Sequence, residues 1–346
     1  MRFIYLLFLL VPSLTFAQAY DVLIKNGKIA DGTGNSWYYA DVAVKDGKIV
    51  LIGRNITASA TKVIDAKGLI VSPGFIDVHT HIEGDEAKTP TADNFIYDGV
   101  TTVIAGNCGA SNINIAKYLS WLDSLKLSVN VASLIGHNDV RKAVMGRARR
   151  DATEPELLQM EQLVQQAMSE GAIGLSTGLI YIPGTYSKTG EIVRLAKVAS
   201  KFGGVYATHM RDEGDSVTQA IDEALHIGRE ANIPVQISHF KLSGQQNWGR
   251  STQTIAMIDA ARKGGVEVTI DQYPYTASST SLSTLLPEEI LADGQDSINA
   301  RLNNPATRKQ VTAQMLKKLK NRKLKHYSYA VVTYHKADTS LNGKSI

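Results

Sequence analysis

Residues 72–81 read Ser-Pro-Gly-Phe-Ile-Asp-Val-His-Thr-His, and the rest of the architecture is organised around them. The apolar run is typical of a β-strand, and His79 and His81 stand two residues apart on it. Side chains at this spacing leave the same face of a strand, so both imidazoles can bind one metal ion. A His-x-His pair alone is a weak signal. It becomes a strong one here because Pro-Gly-Phe-Ile-Asp precedes it, at the start of a series of strands and helices.

Beyond Pro73, short apolar β segments alternate with amphipathic helical stretches. This pattern indicates repeated βα units and a parallel sheet, with successive strand ends separated by about one βαβ step of roughly 30 residues. Polar residues of metal-binding type stand at several strand ends, so the predicted fold class is α/β, a TIM-type (β/α) barrel. The seven predicted strand ends lie near His81, Cys108, His137, Leu175, His209, His239 and Asp271.

Only seven of the eight strands of such a barrel are predicted. An eighth strand would be due about 30 residues after Asp271, yet residues 293–304 are polar and turn-like. A helix is expected over residues 305–325, because apolar side chains recur there at helical spacing, and a β-like run over residues 327–334. A family resemblance, given below with its motifs, implies that residues 281–346 are an insertion-like segment before the missing strand.

The first part of the chain has a different texture. Residues 21–71 alternate short β-rich runs with turn signals at Asn26-Gly27, at Asp46-Gly47 and at Gly53. Such a pattern predicts a small antiparallel sheet. We interpret it as half of a small N-terminal β-sandwich subdomain.

Residues 1–19 have the features of a signal peptide. They combine Arg2, an apolar run and a final Ala17-Gln18-Ala19 that a signal peptidase accepts. The run is shorter than the roughly 20 residues that span a bilayer, so we expect cleavage, export to the periplasm or medium, and no stable membrane anchor afterwards. The predicted segments are 1–19 for the signal peptide, 20–72 for the sandwich half, 73–280 for the barrel and 281–346 for the insertion-like segment.

Composition excludes several classes of protein. The chain has 346 residues, of which 44% are hydrophobic and 20% charged, as in ordinary globular proteins. A single Cys excludes a disulfide framework and a Cys-rich zinc module. The net charge of +4 is unevenly distributed, because residues 301–346 hold most of the excess of Lys and Arg. We therefore predict no nucleic-acid partner, and the oligomeric state is left open.

Five further motifs stand at the ends of predicted strands. They are Gly106-Asn107-Cys108-Gly109, Gly171-Ala172-Ile173-Gly174-Leu175-Ser176-Thr177-Gly178-Leu179, Tyr206-Ala207-Thr208-His209-Met210-Arg211, Ile237-Ser238-His239-Phe240-Lys241 and Asp271-Gln272-Tyr273-Pro274-Tyr275-Thr276-Ala277-Ser278-Ser279-Thr280. With these motifs, the chain from Asp21 to its end resembles the amidohydrolase superfamily, and within it the N-acyl-D-amino-acid deacylases, or D-aminoacylases. The resemblance implies zinc-dependent hydrolysis of N-acyl-D-amino acids by a metal-activated water, which yields a carboxylate and a D-amino acid.

Three candidate metal ligands follow predicted strands, namely Cys108, His209 and His239. The two histidines are one βα unit apart and so project from adjacent strands toward a common centre. Three protein ligands with an open position are the arrangement of a catalytic zinc site. The resemblance implies that these residues form the tighter site, and that His79 and His81 help to form a second, weaker one.

Substrate recognition requires a group that binds the free α-carboxylate of an N-acyl amino acid. A cation with hydroxyl donors supplies charge-assisted hydrogen bonds for this purpose. Lys241 stands two residues after His239 and therefore on the same strand face. Tyr273 and Ser279 complete the substrate-binding set by resemblance. The alternative for these three is a solvated lysine, a packed tyrosine and a loop serine.

No catalytic residue is identified within the chain. The resemblance implies an aspartate at the end of the eighth strand that serves as general base, in a Gly-Ser-Asp-Gly-like context that this sequence lacks. We expect this aspartate beyond Ile346, so that the chain is incomplete and poorly active. Asp338 lies between Ala337 and Thr339 and is not assigned this role. Asp271 is instead a candidate for supporting a ligand.

Two other functions were weighed. One is a cyclic amidohydrolase similar to dihydroorotase or hydantoinase, which the absence of Lys from residues 172–177 and the presence of Cys108 disfavour. The other is a non-catalytic, metal-binding remnant. The remaining candidates are interpreted as structural or solvated, apart from His137 and Arg141, for which a role at the mouth of the active site is left open. The discounted residues are His226, His326, His335 and the basic stretch 317–325.

Overall fold

A computed structural model describes residues 20–346, so the predicted signal peptide lies outside the described residues. The chain divides into two compact units, one that ends at Phe75 and one from Ile76 to Ile346. No helix in the described part of the chain is both long enough and apolar enough to cross a membrane.

The first unit contains one five-stranded mixed sheet, so the prediction of an antiparallel sheet is wrong. The chain runs antiparallel through its first three strands, but the fourth and fifth strands both pair parallel with the first. Turn residues predict hairpins between consecutive strands, whereas pairing with an earlier strand leaves no local signal. The strands are β1 Tyr20–Ile29, β2 Tyr38–Lys45, β3 Lys48–Gly53, β4 Ala60–Asp65 and β5 Ile70–Val71.

The two Asn-Gly-like signals of this unit have different structural meanings. Asp46 and Gly47 form the tight turn between β2 and β3, both with positive φ. Asn26 and Gly27 lie inside β1, where the register with β2 shifts, so they form a bulge and not a turn. A Cβ on Gly27 would lie 2.6 Å from Val71 Cγ2, which explains the glycine. The second sheet of the predicted β-sandwich stays a prediction.

The second unit is built from βα repeats, as predicted. Its strands form a three-stranded sheet of order β6-β7-β8 and a five-stranded sheet of order β13-β12-β11-β10-β9. Pairing is parallel between β7 and β8 and throughout the second sheet. The strands are β6 Phe75–Asp77, β7 Val100–Ala105, β8 Asn130–Ser133, β9 Ile135–Gly136, β10 Gly174–Gly178, β11 Val205–His209, β12 Val235–Ile237 and β13 Val268–Ile270.

Helices follow most strands and cover the larger sheet. The apolar side chains of α6 recur at i, i+3 and i+4, from Val217 to Ala231, and this stripe is buried. It joins one core cluster with strand residues such as Leu175 and Tyr206, both fully buried. The helices are α1 Asp93–Ile96, α2 Ile115–Leu125, α3 His137–Met145, α4 Glu154–Ser169, α5 Thr189–Ser200, α6 Val217–Ala231, α7 Ser251–Lys263, α8 Gln295–Asn303 and α9 Pro305–Asn321.

The last part of the chain agrees only partly with the prediction. Helix α9 occupies most of the predicted stretch 305–325. Residues 293–304 were expected to be turn-like, but most of them form α8. The β-like run predicted over 327–334 is wrong, because a single bridge between Val331 and Ser345 is all the β structure found there. Alternating apolar residues favour a strand only where a partner strand is available for pairing.

Candidate metal centre

The structure brings the predicted metal ligands together beyond the carboxyl ends of four strands. Cys108 Sγ lies 3.4 Å from His79 Nε2, 3.7 Å from His209 Nδ1 and 3.8 Å from His239 Nε2. Two ligand groups result, each with its donor atoms within 4.8 Å of one another. Cys108, His209 and His239 form the more buried group, and His79, His81 and Cys108 form the more exposed one.

A short turn after β7 aims the Cys108 thiol at the centre of this cluster. Cys108 adopts a left-handed backbone conformation with φ of 54°. Gly106 and Gly109 flank the turn, also with positive φ, and neither position has room for a side chain. A Cβ would lie 2.2 Å from Leu134 O at the first glycine and 2.2 Å from Asn138 Oδ1 at the second. The motif around Cys108 is therefore dictated by close packing of the neighbouring loop.

Strand β10 supports this turn and provides none of the candidate ligands. Ser176 on β10 accepts a hydrogen bond from Gly109 N at 3.0 Å and donates one to Gly106 O. Strand β10 continues to Gly178, past the predicted end at Leu175. The Ser176 hydroxyl therefore holds the Cys108 turn at both of its flanking glycines.

The His pair that follows β6 lies outside the strand itself. Strand β6 ends at Asp77, and the chain then bends, so the predicted placement of both histidines on a strand is wrong. Their rings nevertheless remain close, with centroids 5.3 Å apart. His79 is partly buried, whereas His81 is exposed. The proximity of the two rings thus depends on the bend and not on strand alternation.

Burial controls the protonation of the inner ligands. Burial is the main cause that lowers the pKa of His209 to about 3, against the opposing charge of Glu213. The ring is therefore neutral at physiological pH, as a metal-binding imidazole must be. Burial also raises the pKa of the Cys108 thiol to about 12, with Asp271 adding to the effect. A thiolate at this position consequently requires a cation next to it.

Two carboxylates orient the outer nitrogens of the histidine rings. Asp271 Oδ1 lies 3.1 Å from His79 Nδ1 and accepts a hydrogen bond from the His239 backbone N–H. Glu213 Oε1 lies 2.7 Å from His239 Nδ1. In both pairs the carboxylate holds one ring nitrogen while the other faces Cys108, which is the usual support of a metal-binding histidine. This agrees with the supporting position expected for Asp271.

Glu213 was missed by sequence reasoning. Burial by itself would raise the pKa of its carboxyl group. The hydrogen bond with His239 and the neighbouring positive charges outweigh burial and lower the pKa to about 2. Its position four residues after His209, in the loop beyond β11, was the available signal.

Of the three predicted substrate-binding residues, Lys241 and Tyr273 lie next to the cluster. Lys241 Nζ donates to Glu213 Oε1 at 2.7 Å and lies 2.9 Å from His239 Nδ1. The same ammonium lies 5.4 Å from the centre of the Tyr273 ring. Ser279 is exposed and makes no side-chain hydrogen bond to the other described residues. Their role in substrate binding stays a prediction, with Lys241 and Tyr273 placed next to the ligands.

A cavity of about 370 Å³ opens beside the cluster. The structure places His81 and Cys108 on its wall, together with Tyr181, whose ring centre lies 4.9 Å from that of His209. Sequence reasoning missed Tyr181, because it lies beyond the quoted motif around β10. The other lining residues are Ala110, Asn138, Asp139, Lys142, Arg147, Ile182, Pro183, Thr280 and Ser281.

His137 and Arg141 do not line this cavity. Both side chains are fully buried; Arg141 forms an ion pair with Glu191 of α5, and His137 Nε2 lies 2.7 Å from Glu191 Oε1. Arg141 also donates to the Arg150 carbonyl at 2.6 Å. Asn138 is buried as well, and it holds the loops after two other strands through hydrogen bonds with Gly178 and Gly109. His137, Arg141 and Asn138 thus anchor α3, and Asn138, Asp139 and Lys142 of this helix line the cavity.

Several known proteins are similar to this chain in sequence and in fold. The D-aminoacylase of Alcaligenes xylosoxydans xylosoxydans is 39% identical over 289 residues, which cover 77% of this chain and 60% of that protein. A crystal structure of N-acyl-D-glutamate deacylase from Bordetella bronchiseptica, complexed with zinc and a phosphonate inhibitor, is 38% identical, with a TM-score of 0.71 over 75% of this chain and 59% of that one. A structure from work on the binuclear metal centre of D-aminoacylase is 34% identical, with a TM-score of 0.78 over 94% of this chain and 66% of that one.

The chain therefore spans about three fifths of the length of the curated relative that it matches. The model of the amidohydrolase family matches residues 62–325. On this match and on the likeness of the structures, the chain belongs to the amidohydrolase family and has its α/β fold.

Proposed function

We propose that the protein catalyses the zinc-dependent hydrolysis of N-acyl-D-amino acids to a carboxylate and a D-amino acid. The observation that carries the proposal is the convergence of Cys108, His209 and His239, whose donor atoms lie within 4.8 Å of one another. The deacylase relatives support this choice, since one is a D-aminoacylase and another is an N-acyl-D-glutamate deacylase with bound zinc.

The residues of the inner group fit a zinc ion. Two imidazoles and one thiolate are ligands that zinc prefers, and three protein ligands leave a position for water or substrate. The neutral ring of His209 matches this requirement, and the buried thiol of Cys108 would become a thiolate only with the metal beside it. His79 and His81 would hold a second, weaker metal with Cys108. The relative known for its binuclear metal centre supports the two-site arrangement.

The chain's own residues would position the reacting groups. A bound zinc ion lowers the pKa of water and polarises a carbonyl oxygen. Glu213 and Asp271 hold the outer nitrogens of His239 and His79 and so fix both rings. Lys241 lies beside this assembly, where its ammonium would donate hydrogen bonds to the α-carboxylate of the substrate, together with the hydroxyl groups of Tyr273 and Ser279.

We infer that the βα repeats of the second unit belong to a TIM-type barrel and that the first unit is part of a β-sandwich. The parallel strands and the ligands at their carboxyl ends support the barrel. Export directed by residues 1–19 to the periplasm or medium is part of the same proposal, and it is supported by their composition.

The proposal is tested by assaying the zinc-loaded protein with N-acetyl-D-amino acids and with their L-enantiomers. Release of the free D-amino acid is the expected result; it should be slow, because no general base is identified among the chain's residues, and abolished by Cys108→Ser. Hydantoins and dihydropyrimidines serve as competing substrates. Activity confined to these cyclic compounds, or hydrolysis that is indifferent to the substitution, would contradict the proposed function.

A further inference from the structure

The cavity beside the metal ligands has one wall whose charge the proposed chemistry does not use. His81 and Cys108 mark the side of the ligands. Asp139 and Lys142 from α3, and Arg147 just after it, also line the cavity. This wall therefore carries two cationic side chains and one carboxylate, in a space of about 370 Å³.

Asp139 forms a long salt bridge with Lys142 and so offsets only part of the positive charge of this wall. Its Oδ2 already accepts a hydrogen bond from Ser111 N at 3.1 Å, and its Oδ1 is 3.9 Å from Lys142 Nζ. That separation exceeds a hydrogen-bonding distance, so the ammonium keeps donors available. Within residues 20–346, Arg147 forms no ion pair with any carboxylate. Two cations against one partly used carboxylate leave a net positive charge facing the cavity.

The geometry of α3 keeps this charge in place. Asn138 and Lys142 are four residues apart and share one face of the helix. Asn138 Nδ2 donates to Gly178 O at 3.0 Å and to Tyr181 O at 3.2 Å, which ties this face to the loop beyond β10. Gly146 ends the helix with φ of 62°, and Arg147 follows directly. Both cations are therefore carried by a segment anchored beside the ligands.

Lys241, the cation expected to bind the α-carboxylate, does not line this cavity and is paired with Glu213. Because Lys142 and Arg147 line the cavity and Lys241 does not, their charge suits a second anionic group of the same substrate. Charge-assisted hydrogen bonds from Lys and Arg to a carboxylate are about twice as strong as neutral ones. A neutral ligand of the same shape would gain none of this.

We propose that Lys142 and Arg147 form a subsite for a second carboxylate, so that the protein prefers N-acyl amino acids with an acidic group besides the α-carboxylate. The inference rests on the proposed deacylase function and specifies its substrate class. The acidic group can be supplied by the amino-acid side chain or by the acyl chain, and both present the same carboxylate to the wall.

Binding to the zinc-loaded protein, measured by titration calorimetry, distinguishes the two sources. N-acetyl-D-glutamate is compared with N-acetyl-D-glutamine, and N-succinyl-D-alanine with N-butanoyl-D-alanine. In at least one pair, we expect the acidic member to bind about tenfold tighter, which corresponds to one charged hydrogen bond. The double variant Lys142→Met/Arg147→Met should lose this preference and keep its affinity for the neutral member.

A charge-matched control removes two cations elsewhere. Arg308 and Lys317 are both exposed on α9, so Arg308→Met/Lys317→Met should retain the full preference. Equal binding within both pairs, or a preference that survives in the Lys142→Met/Arg147→Met variant, would overturn the subsite. Failure of all four compounds to bind would contradict the proposed function and the subsite with it, whereas equal binding contradicts the subsite alone.

Discussion

Cys108 contributes the donor atom shared by both groups of metal ligands. Its burial and the nearby carboxylates disfavour the thiolate. The thiolate therefore forms only when a metal ion is bound beside it. We predict that Cys108→Ser weakens zinc binding at the inner site at least tenfold, because a hydroxyl is a poorer zinc ligand than a thiolate. Zinc content after dialysis, measured by mass spectrometry, checks this. His226→Gln, an exposed change on α6, is the control and should bind zinc normally.

Glu213 is expected to act through His239. We predict that Glu213→Gln lowers zinc affinity by about 10-fold to 100-fold, as is typical when a carboxylate behind a ligand histidine is removed. The measurement is competition with a chromogenic chelator. Glu230→Gln, an exposed change within α6, serves as the control. Equal zinc affinity in the Glu213→Gln protein and the unmodified one would show that this carboxylate does not support the ligand.

Residue by residue, the convergence of the candidate ligands and the supporting position of Asp271 were predictable, whereas that of Glu213 was not. Cys108, His209 and His239 stand in motifs at the ends of regular βα units, so both their type and their spacing are informative. The position of Glu213 four residues after His209 is only a weak signal, because carboxylates are common in loops. The ion pair between Glu213 and Lys241 depends on two different loops meeting, which single-sequence patterns do not encode.

At the level of elements, the turn after β7 depends on glycine. We predict that Gly109→Ala destabilises the protein by about 1–3 kcal/mol, because of its positive φ and the 2.2 Å approach to Asn138 Oδ1. Gly190→Ala, within α5 and with open space around it, should instead be neutral or stabilising by up to about 1 kcal/mol. Urea denaturation of both variants checks the contrast. Equal effects of the two substitutions would refute the role given to the turn.

The link between α3 and α5 predicts a dependence of stability on pH. Burial alone raises the pKa of Glu191, but the hydrogen bonds and charges of His137 and Arg141 outweigh it and hold the pKa below its ordinary value. A carboxyl group with a depressed folded-state pKa stabilises the fold above its unfolded pKa, and this contribution is lost as the pH falls through the folded-state pKa.

We therefore expect Glu191→Gln to destabilise the protein by about 3 kcal/mol near neutral pH, because it leaves Arg141 buried and unpaired. The gap between the variant and the unmodified protein should narrow as the solution is acidified below the ordinary pKa of a glutamate. Denaturation curves at a series of pH values measure this. A gap that is constant over the whole series would contradict the assignment of this stabilisation to the Glu191 carboxylate.

Elements with local signals were predicted better than those without. The βα repeats and α9 follow from apolar periodicity along the chain. The parallel pairing of β4 and β5 with β1, and the bulge at Asn26, depend on strands brought together from distant positions. Residues 327–334 show the opposite failure, since a β-like pattern without a partner strand forms no strand.

On the scale of the whole second unit, the metal ligands connect widely separated segments. Cys108 is 29 residues from His79, 101 from His209 and 131 from His239. A ligand that binds only the folded state stabilises it by about 2.7 kcal/mol at a concentration 100 times its dissociation constant. We predict that zinc raises the melting temperature of the protein and that Cys108→Ser removes most of this shift. Scanning calorimetry measures the melting temperature with and without zinc. An equal rise in the unmodified protein and in Cys108→Ser would show that the stabilising zinc binds elsewhere.

The same separations decide when the site appears during folding. Contacts between residues so far apart in the chain form late, because the cost of closing long loops comes before the contacts that reward it. The thiol of Cys108 cannot meet His239 until the segments that bear them have docked. Zinc added to the unfolded chain would therefore change the folding rate little and would act chiefly by lowering the unfolding rate.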